Sequence, residues 1–311
     1  MQVGIQSRKI ENVDWLIFAL IGTIFFSAAG VLDKFLLSSY TCDSKAYIVC
    51  QVLVQQIFTI PILAIMRIDF VYPQSAMAMA LGALQILPSL FYLRAVQVEE
   101  ASRVAALEYF YPVFVFLGAF IFLGENLAPK HCIGGVLLVV SVLLISHKHK
   151  GKCSFDISSI SPALRPFISY WISMAIYCIA LKYLLASMNE WQLYTWSSLG
   201  SLMATLPLLA NPSVRGEVLG FFESGTSAVG TLISEETFMF LGIIFSIFAY
   251  ALGSVALVTS VGALQPMLTL ILVVALGLFL PGRVKEELDR NSLVQKGLSS
   301  IIVIIGIYFV S

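Results

Sequence analysis

The chain has 311 residues, 18 basic and 18 acidic side chains, and a hydrophobic content of 59%. Only 12% of it is charged, against about 25% in soluble domains, and the mean hydropathy is +0.92, which excludes a soluble multidomain enzyme. Balanced charge without a long basic block excludes nucleic-acid binding, and five cysteines with no C-x-x-C pair give neither a disulfide framework nor zinc-site spacing. An integral membrane protein remains.

A membrane-crossing helix needs about 20 mostly apolar residues, and the charged residues cut the chain into such lengths. Trp15 to Leu32 lies between Asp14 and Asp33, and Ala46 to Met66 lies between Lys45 and Arg67. Gln74 to Leu93 ends at Arg94, Arg103 to Gly124 is interrupted by Glu108, and His131 to Ser146 is a short fifth span. After a polar stretch come Pro166 to Leu181 and Trp191 to Ala210. The segment Asn211–Glu236 reads as an interfacial helix or a loop on the headgroups. From Thr237 to Gly282 no charge appears, too long a run for one crossing, so a break near Thr259–Gly262 divides it into spans eight and nine. Leu298 to Val310, with Lys296 at its mouth, makes a tenth. Runs this uniformly apolar lack the alternation of a membrane β-barrel. Trp15, Tyr47, Trp171 and Trp191 at span ends read as interfacial anchors.

The chain also resembles itself. Asp33-Lys34-Phe35-Leu36-Leu37-Ser38-Ser39 closes span one, and Leu181-Lys182-Tyr183-Leu184-Leu185-Ala186-Ser187 closes span six. Tyr92, Ser102, Ala105 and Gly124 meet Tyr250, Ser260, Ala263 and Gly282 at one constant offset. Two halves of five spans enter the membrane from opposite sides, so the repeat is inverted, an arrangement that supports alternating access. The expected architecture is therefore an all-α integral membrane protein of ten transmembrane helices in two inverted five-helix repeats. Its divisions are a polar N-terminal segment 1–14, a first repeat 15–146, a polar linker 147–162 and a second repeat 163–311.

Particular residues carry a resemblance to a known family. Leu93-Arg94-Ala95, Glu100 to Leu107, Pro112-Val113-Phe114-Val115, Phe122-Leu123-Gly124-Glu125-Asn126-Leu127 and Ile133-Gly134-Gly135-Val136 resemble the EamA-type unit of the drug/metabolite transporter superfamily. That unit has five helices and usually occurs twice. The second half departs from it at Gly282-Arg283 and in the charged insert from Val284 to Asn291. The resemblance implies transport of a small metabolite and cytoplasmic termini. The positive-inside rule points the other way, because Lys148, Lys150, Lys152, Arg283, Lys285 and Arg290 gather opposite the termini.

Polar side chains within spans are costly and usually face a cavity or another helix. Thr23, Ser27, Gly30 and Lys34 share one face of span one, as do Gln51, Gln55 and Thr59 in span two and Gln85, Ser89 and Tyr92 in span three. Tyr170, Ser173 and Tyr177 mark span six, Ser246 and Tyr250 span eight, and Gln265 and Thr269 span nine. The Ser and Thr positions suit helix–helix contacts; Gln51, Gln55, Gln85, Tyr92, Tyr177, Tyr250 and Gln265 are cavity candidates. Glu108 lies within span four on a face with Tyr111, Pro112 and Val115. It is read either as a substrate- or proton-handling carboxylate or as the partner of Arg94 or Arg103. Lys34 and Lys182 either meet an anionic group or snorkel to headgroups. Pro112 and Pro266 interrupt helical bonding mid-span, as gating points or fixed kinks. Glu125 reads as a structural acid at the membrane edge, and His147, His149 and Cys153 are a weak metal arrangement.

No Walker A, H-E-x-x-H or G-x-S-x-G sequence occurs, so no enzyme is expected. The expected function is a secondary active transporter working by alternating access, proton-coupled or an exchanger, in the cell membrane. The alternative is a non-transporting scaffold or sensor of the same fold. No cofactor or metal is expected. The expected partners are a small-molecule substrate and the lipid bilayer, with no nucleic acid and with a homodimer left open.

Overall fold

The computed structural model describes residues 3–40, 43–99, 104, 107–108, 110–123, 130, 133–134, 136–137, 140–141, 144, 164–253, 255–262, 264–279 and 290–310. Its elements are helical. They run α1 Val3–Ser39, α2 Ser44–Met66, α3 Gln74–Val98, α4 Tyr111–Leu123, α5 Leu164–Leu185 and α6 Glu190–Thr205. A 3-10 turn Leu206–Ala210 follows, then α7 Pro212–Glu223, α8 Thr226–Leu252, α9 Val255–Gly262, α10 Gln265–Phe279 and α11 Arg290–Val310. A bilayer leaves backbone amides no water to bond, so a spanning segment satisfies them within its own helix. Among the described residues five helices are long and apolar enough to cross: Trp15–Ser39, Ser44–Met66, Gln74–Val98, Phe167–Leu185 and Thr226–Leu252.

Charges misplace several ends. Span one does not stop at Asp33: α1 continues to Ser39 and buries both Asp33 and Lys34. The eighth span does not begin at Thr237, because Glu235 and Glu236 lie buried inside α8. Lys296, expected at a membrane mouth, is buried within α11. In each case the acid or base faces protein, so it does not mark the edge of the hydrocarbon. The segment Asn211–Glu236, read as an interfacial helix or a loop, is helical: α7, capped by Asn211 accepting from the Ser213 amide (3.1 Å), followed by the first turns of α8. Val214, Val218 and Phe221 form the buried face of α7.

The charge-free run after Thr237 breaks twice, at Gly253 and again after Gly262. The second break matches another: Phe110 is a turn between the helical Leu107–Glu108 and α4. Pro112 and Pro266 are each the second residue of a helix, in α4 and α10. They therefore occupy the first turn, where the missing N–H has no helical partner to lose, and are not mid-span kinks. Expected features at Arg103, Glu125, His147, His149, Cys153 and 280–289 lie outside the described residues, as does most of the fifth span.

Helix α1 packs along α8, and α3 packs on α5 and α6; α4 lies on α5, and α10 on α1. Aromatic stacking seams α1 to α8: Phe18 on Phe248 (centroids 5.6 Å) and Phe25 on Phe238 (6.0 Å). The α3–α6 crossing is closest at Gly82 and Gly200, which rest on the backbone carbonyls of Ser197 and Met79 respectively. Small residues allow such approach in membranes, and Ser201 Oγ donates across it to the Gly82 carbonyl (2.8 Å).

Candidate functional site

A cavity of about 180 Å³ opens among α1, α3, α5, α8 and the starts of α4 and α10. Its lining repeats at helical steps of three and four, so each helix offers one face. From α1 come Ala19, Thr23, Phe26 and Gly30; from α3 Gln85, Pro88, Ser89 and Tyr92. Helix α5 adds Tyr170, Met174, Tyr177, Cys178 and Leu181, and α8 adds Met239, Ile243, Ser246 and Tyr250. Glu108, Tyr111 and Gln265 enter from the broken helices.

Glu108 is held by neutral donors. The Tyr170 hydroxyl donates to Oε1 (2.7 Å) and Gln265 Nε2 to Oε2 (3.3 Å). At the adjoining residues, Trp171 Nε1 donates to the Leu107 carbonyl (2.8 Å), pinning this stretch to α5. Trp171 is thus a buried clamp and not an interfacial anchor. Arg94, proposed as a partner of Glu108, is exposed at the end of α3.

Of the other residues singled out from sequence, Gln85, Tyr92, Tyr111, Tyr177, Tyr250 and Gln265 border the cavity. Gln55 borders a smaller side pocket with Tyr194 and Ser198. Gln51 does not reach the cavity; its Nε2 donates to Asp33 Oδ1 (3.0 Å). The Tyr47 hydroxyl donates to the same oxygen (2.9 Å), so Tyr47 is fully buried and anchors no interface. Thr59 and Ser198 join hydroxyls across α2 and α6 (2.7 Å), with Tyr194 on Thr59 (3.2 Å), an interhelical contact of the kind small polar residues supply.

Both lysines are internal caps. Lys34 Nζ donates to the carbonyls of Val96 and Glu99 (both 2.6 Å), at the end of α3. Lys182 Nζ donates to those of Tyr250 and Gly253 (2.6 and 2.9 Å), at the end of α8. A helix C-terminus carries unsatisfied carbonyls and partial negative charge, which an ammonium complements. Neither lysine borders the cavity.

Sequence reasoning missed a second buried group. Asp33 of α1 and Glu235 and Glu236 of α8 are all enclosed, and Glu235 faces Asp33. Asp33 Oδ2 and both Glu235 oxygens take no hydrogen bond. The Tyr92 hydroxyl also faces Asp33, so the cluster stands directly behind the cavity wall. These acids were used as span boundaries. The signal against that use was length: Trp15 to Leu32 falls short of about 20 residues, while Phe35, Leu36 and Leu37 continue the apolar run. Among the described residues no group of three His, Cys, Asp or Glu is placed to hold a metal ion.

No curated protein sequence matches this chain. Among the solved structures that resemble it, a crystal structure aligns with a TM-score of 0.56 at 15% identity, covering 98% of this chain and 96% of its own, a likeness of fold. Residues 14–147 match the model of the EamA-like transporter family. Broken helices and a cavity walled by faces of several helices thus accompany a segment similar to that family. The similarity to that family covers under half of the chain, and among the described residues five helices are long and apolar enough to cross a membrane.

Proposed function

We propose that the chain is a secondary active transporter that carries a small metabolite across the cell membrane by alternating access. It is built as two inverted five-helix repeats, 15–146 and 163–311, joined by the linker 147–162. The observation that carries this reading is the cavity, whose wall takes faces from α1 and α3 of one half and from α5, α8 and α10 of the other. A site between repeats is where rocking of one half against the other changes which side has access.

Three pairings support the repeat. Lys34 caps α3 as Lys182 caps α8, each on two carbonyls three residues apart. Pro112 and Pro266 open the second piece of a broken helix in each half. Ser141 and Ser299 bond reciprocally: each Oγ donates to the other's carbonyl (2.9 and 2.8 Å). A non-transporting scaffold would fill the Gln85 and Tyr92 faces with side chains, whereas both border open volume.

Transport draws on an ion gradient or on exchange, with Glu108 as the proton-handling candidate. The test is a thermal-shift panel of small metabolites on the purified protein, followed by counterflow of each binder in proteoliposomes. Ligand-dependent stabilisation with counterflow is expected. Binding without flux would favour the scaffold or sensor.

A further inference from the structure

The chemistry of the cavity wall selects its cargo. Five of the lining residues are tyrosines, Tyr92, Tyr111, Tyr170, Tyr177 and Tyr250, and one is a carboxylate, Glu108. Among the described lining residues there is no lysine, arginine or histidine. The Lys34 and Lys182 ammonium groups are committed elsewhere, bonding the carbonyl ends of α3 and α8. The start of α10 already meets a carboxylate through the Gln265–Glu108 bond.

We propose that the cavity recognises an organic cation, a protonated amine or quaternary ammonium on a small apolar body. Aromatic faces attract such a charge through the ring quadrupole, more strongly when water is excluded, and Glu108 supplies the counter-charge. A phosphate or carboxylate cargo would meet Glu108, with no cation among the described lining residues to receive it. Size agrees: a cavity of about 150 Å³ admits benzene, so about 180 Å³ accommodates an aralkylamine or a tetraalkylammonium with short chains.

This inference rests on the transporter reading for the site's purpose but is tested by binding alone. Phenethylamine, tetraethylammonium, 2-phenylethanol and 3-phenylpropionate are titrated into the full chain in detergent. The two cations are expected to bind, the alcohol at least tenfold more weakly, and the carboxylate not at all. Glu108→Gln, which keeps a Tyr170 acceptor, is expected to lose at least tenfold in cation affinity while the affinity for the alcohol holds. Tyr177→Phe retains cation binding and Tyr177→Leu weakens it severalfold, because the ring and not the hydroxyl makes the attraction. Failure of both cations to bind, or binding of the alcohol or carboxylate as tightly as the amine, overturns the proposal. Cations that bind but show no counterflow leave the cavity chemistry standing and refute transport; a neutral or anionic ligand that is carried does the reverse.

Discussion

The α3–α6 crossing yields a prediction of opposite signs at chemically identical substitutions. A methyl group added at Gly82 would enter the Ser197 carbonyl, and one at Gly200 the Met79 carbonyl. Both obstacles are backbone, so no rotamer change relieves them and the helices must part. Overpacking of this kind costs typically about 1–3 kcal/mol. Parting the helices also breaks the Ser201–Gly82 bond, worth about 1 kcal/mol, so Gly82→Ala and Gly200→Ala are each expected to cost about 2–4 kcal/mol. The double variant should cost less than the sum, because one separation accommodates both methyl groups. Gly216 lies in α7 with nothing near its missing Cβ, so Gly216→Ala should stabilise by about 0.8–1 kcal/mol through helix propensity alone. Equilibrium unfolding in mixed detergent micelles, followed by helicity, reads all four variants. Helix α3 also carries Gln85 and Tyr92 to the cavity, so ligand binding should weaken in the two crossing variants and hold in Gly216→Ala. Crossing variants within about 0.5 kcal/mol of wild type would refute the argument.

Other variants probe the polar interior. Asp33→Leu leaves the buried Tyr47 hydroxyl and Gln51 amide without their acceptor and should cost about 1–3 kcal/mol for each orphaned donor. Asp33→Asn keeps an acceptor and should cost far less; equal stability of the two would count against those bonds. A double-mutant cycle of Ser141→Ala and Ser299→Ala should show a coupling of about 0.6–1.7 kcal/mol, and independent effects would remove the reciprocal contact. If Glu108 handles the transported proton, Glu108→Gln abolishes uptake driven by a pH gradient in proteoliposomes while exchange at saturating substrate survives. An unchanged pH dependence would remove that role.

What was legible in the sequence followed from periodicity. Thr23 and Gly30, or Gln85, Ser89 and Tyr92, sit at helical steps that the hydrophobic background makes conspicuous, and the cavity is lined by those faces. Glu108 stood out because it interrupts an otherwise apolar run. The acids at Asp33, Glu235 and Glu236 escaped notice because each adjoins a plausible span end, where a charge normally meets water. Nothing local distinguishes such a charge from one facing a neighbouring helix; that depends on Tyr47 and Gln51, which approach from another segment. Gln51 was misassigned for the same reason, since periodicity specifies a face and not what lies opposite. Lys34 and Lys182 were recognisable as a matched pair, but their carbonyl partners lie on helices distant in sequence.

In the proposed two-repeat transporter, the Ser141–Ser299 pair bears on how the halves would move without coming apart. Each serine gives and receives the same bond, so interchanging the two halves returns the contact to itself. Every off-axis packing surface must be remade when one half takes up the shape of the other, but a self-mirroring contact is the same before and after. It can therefore act as an axle, bonded throughout the cycle while the cavity walls tilt around it.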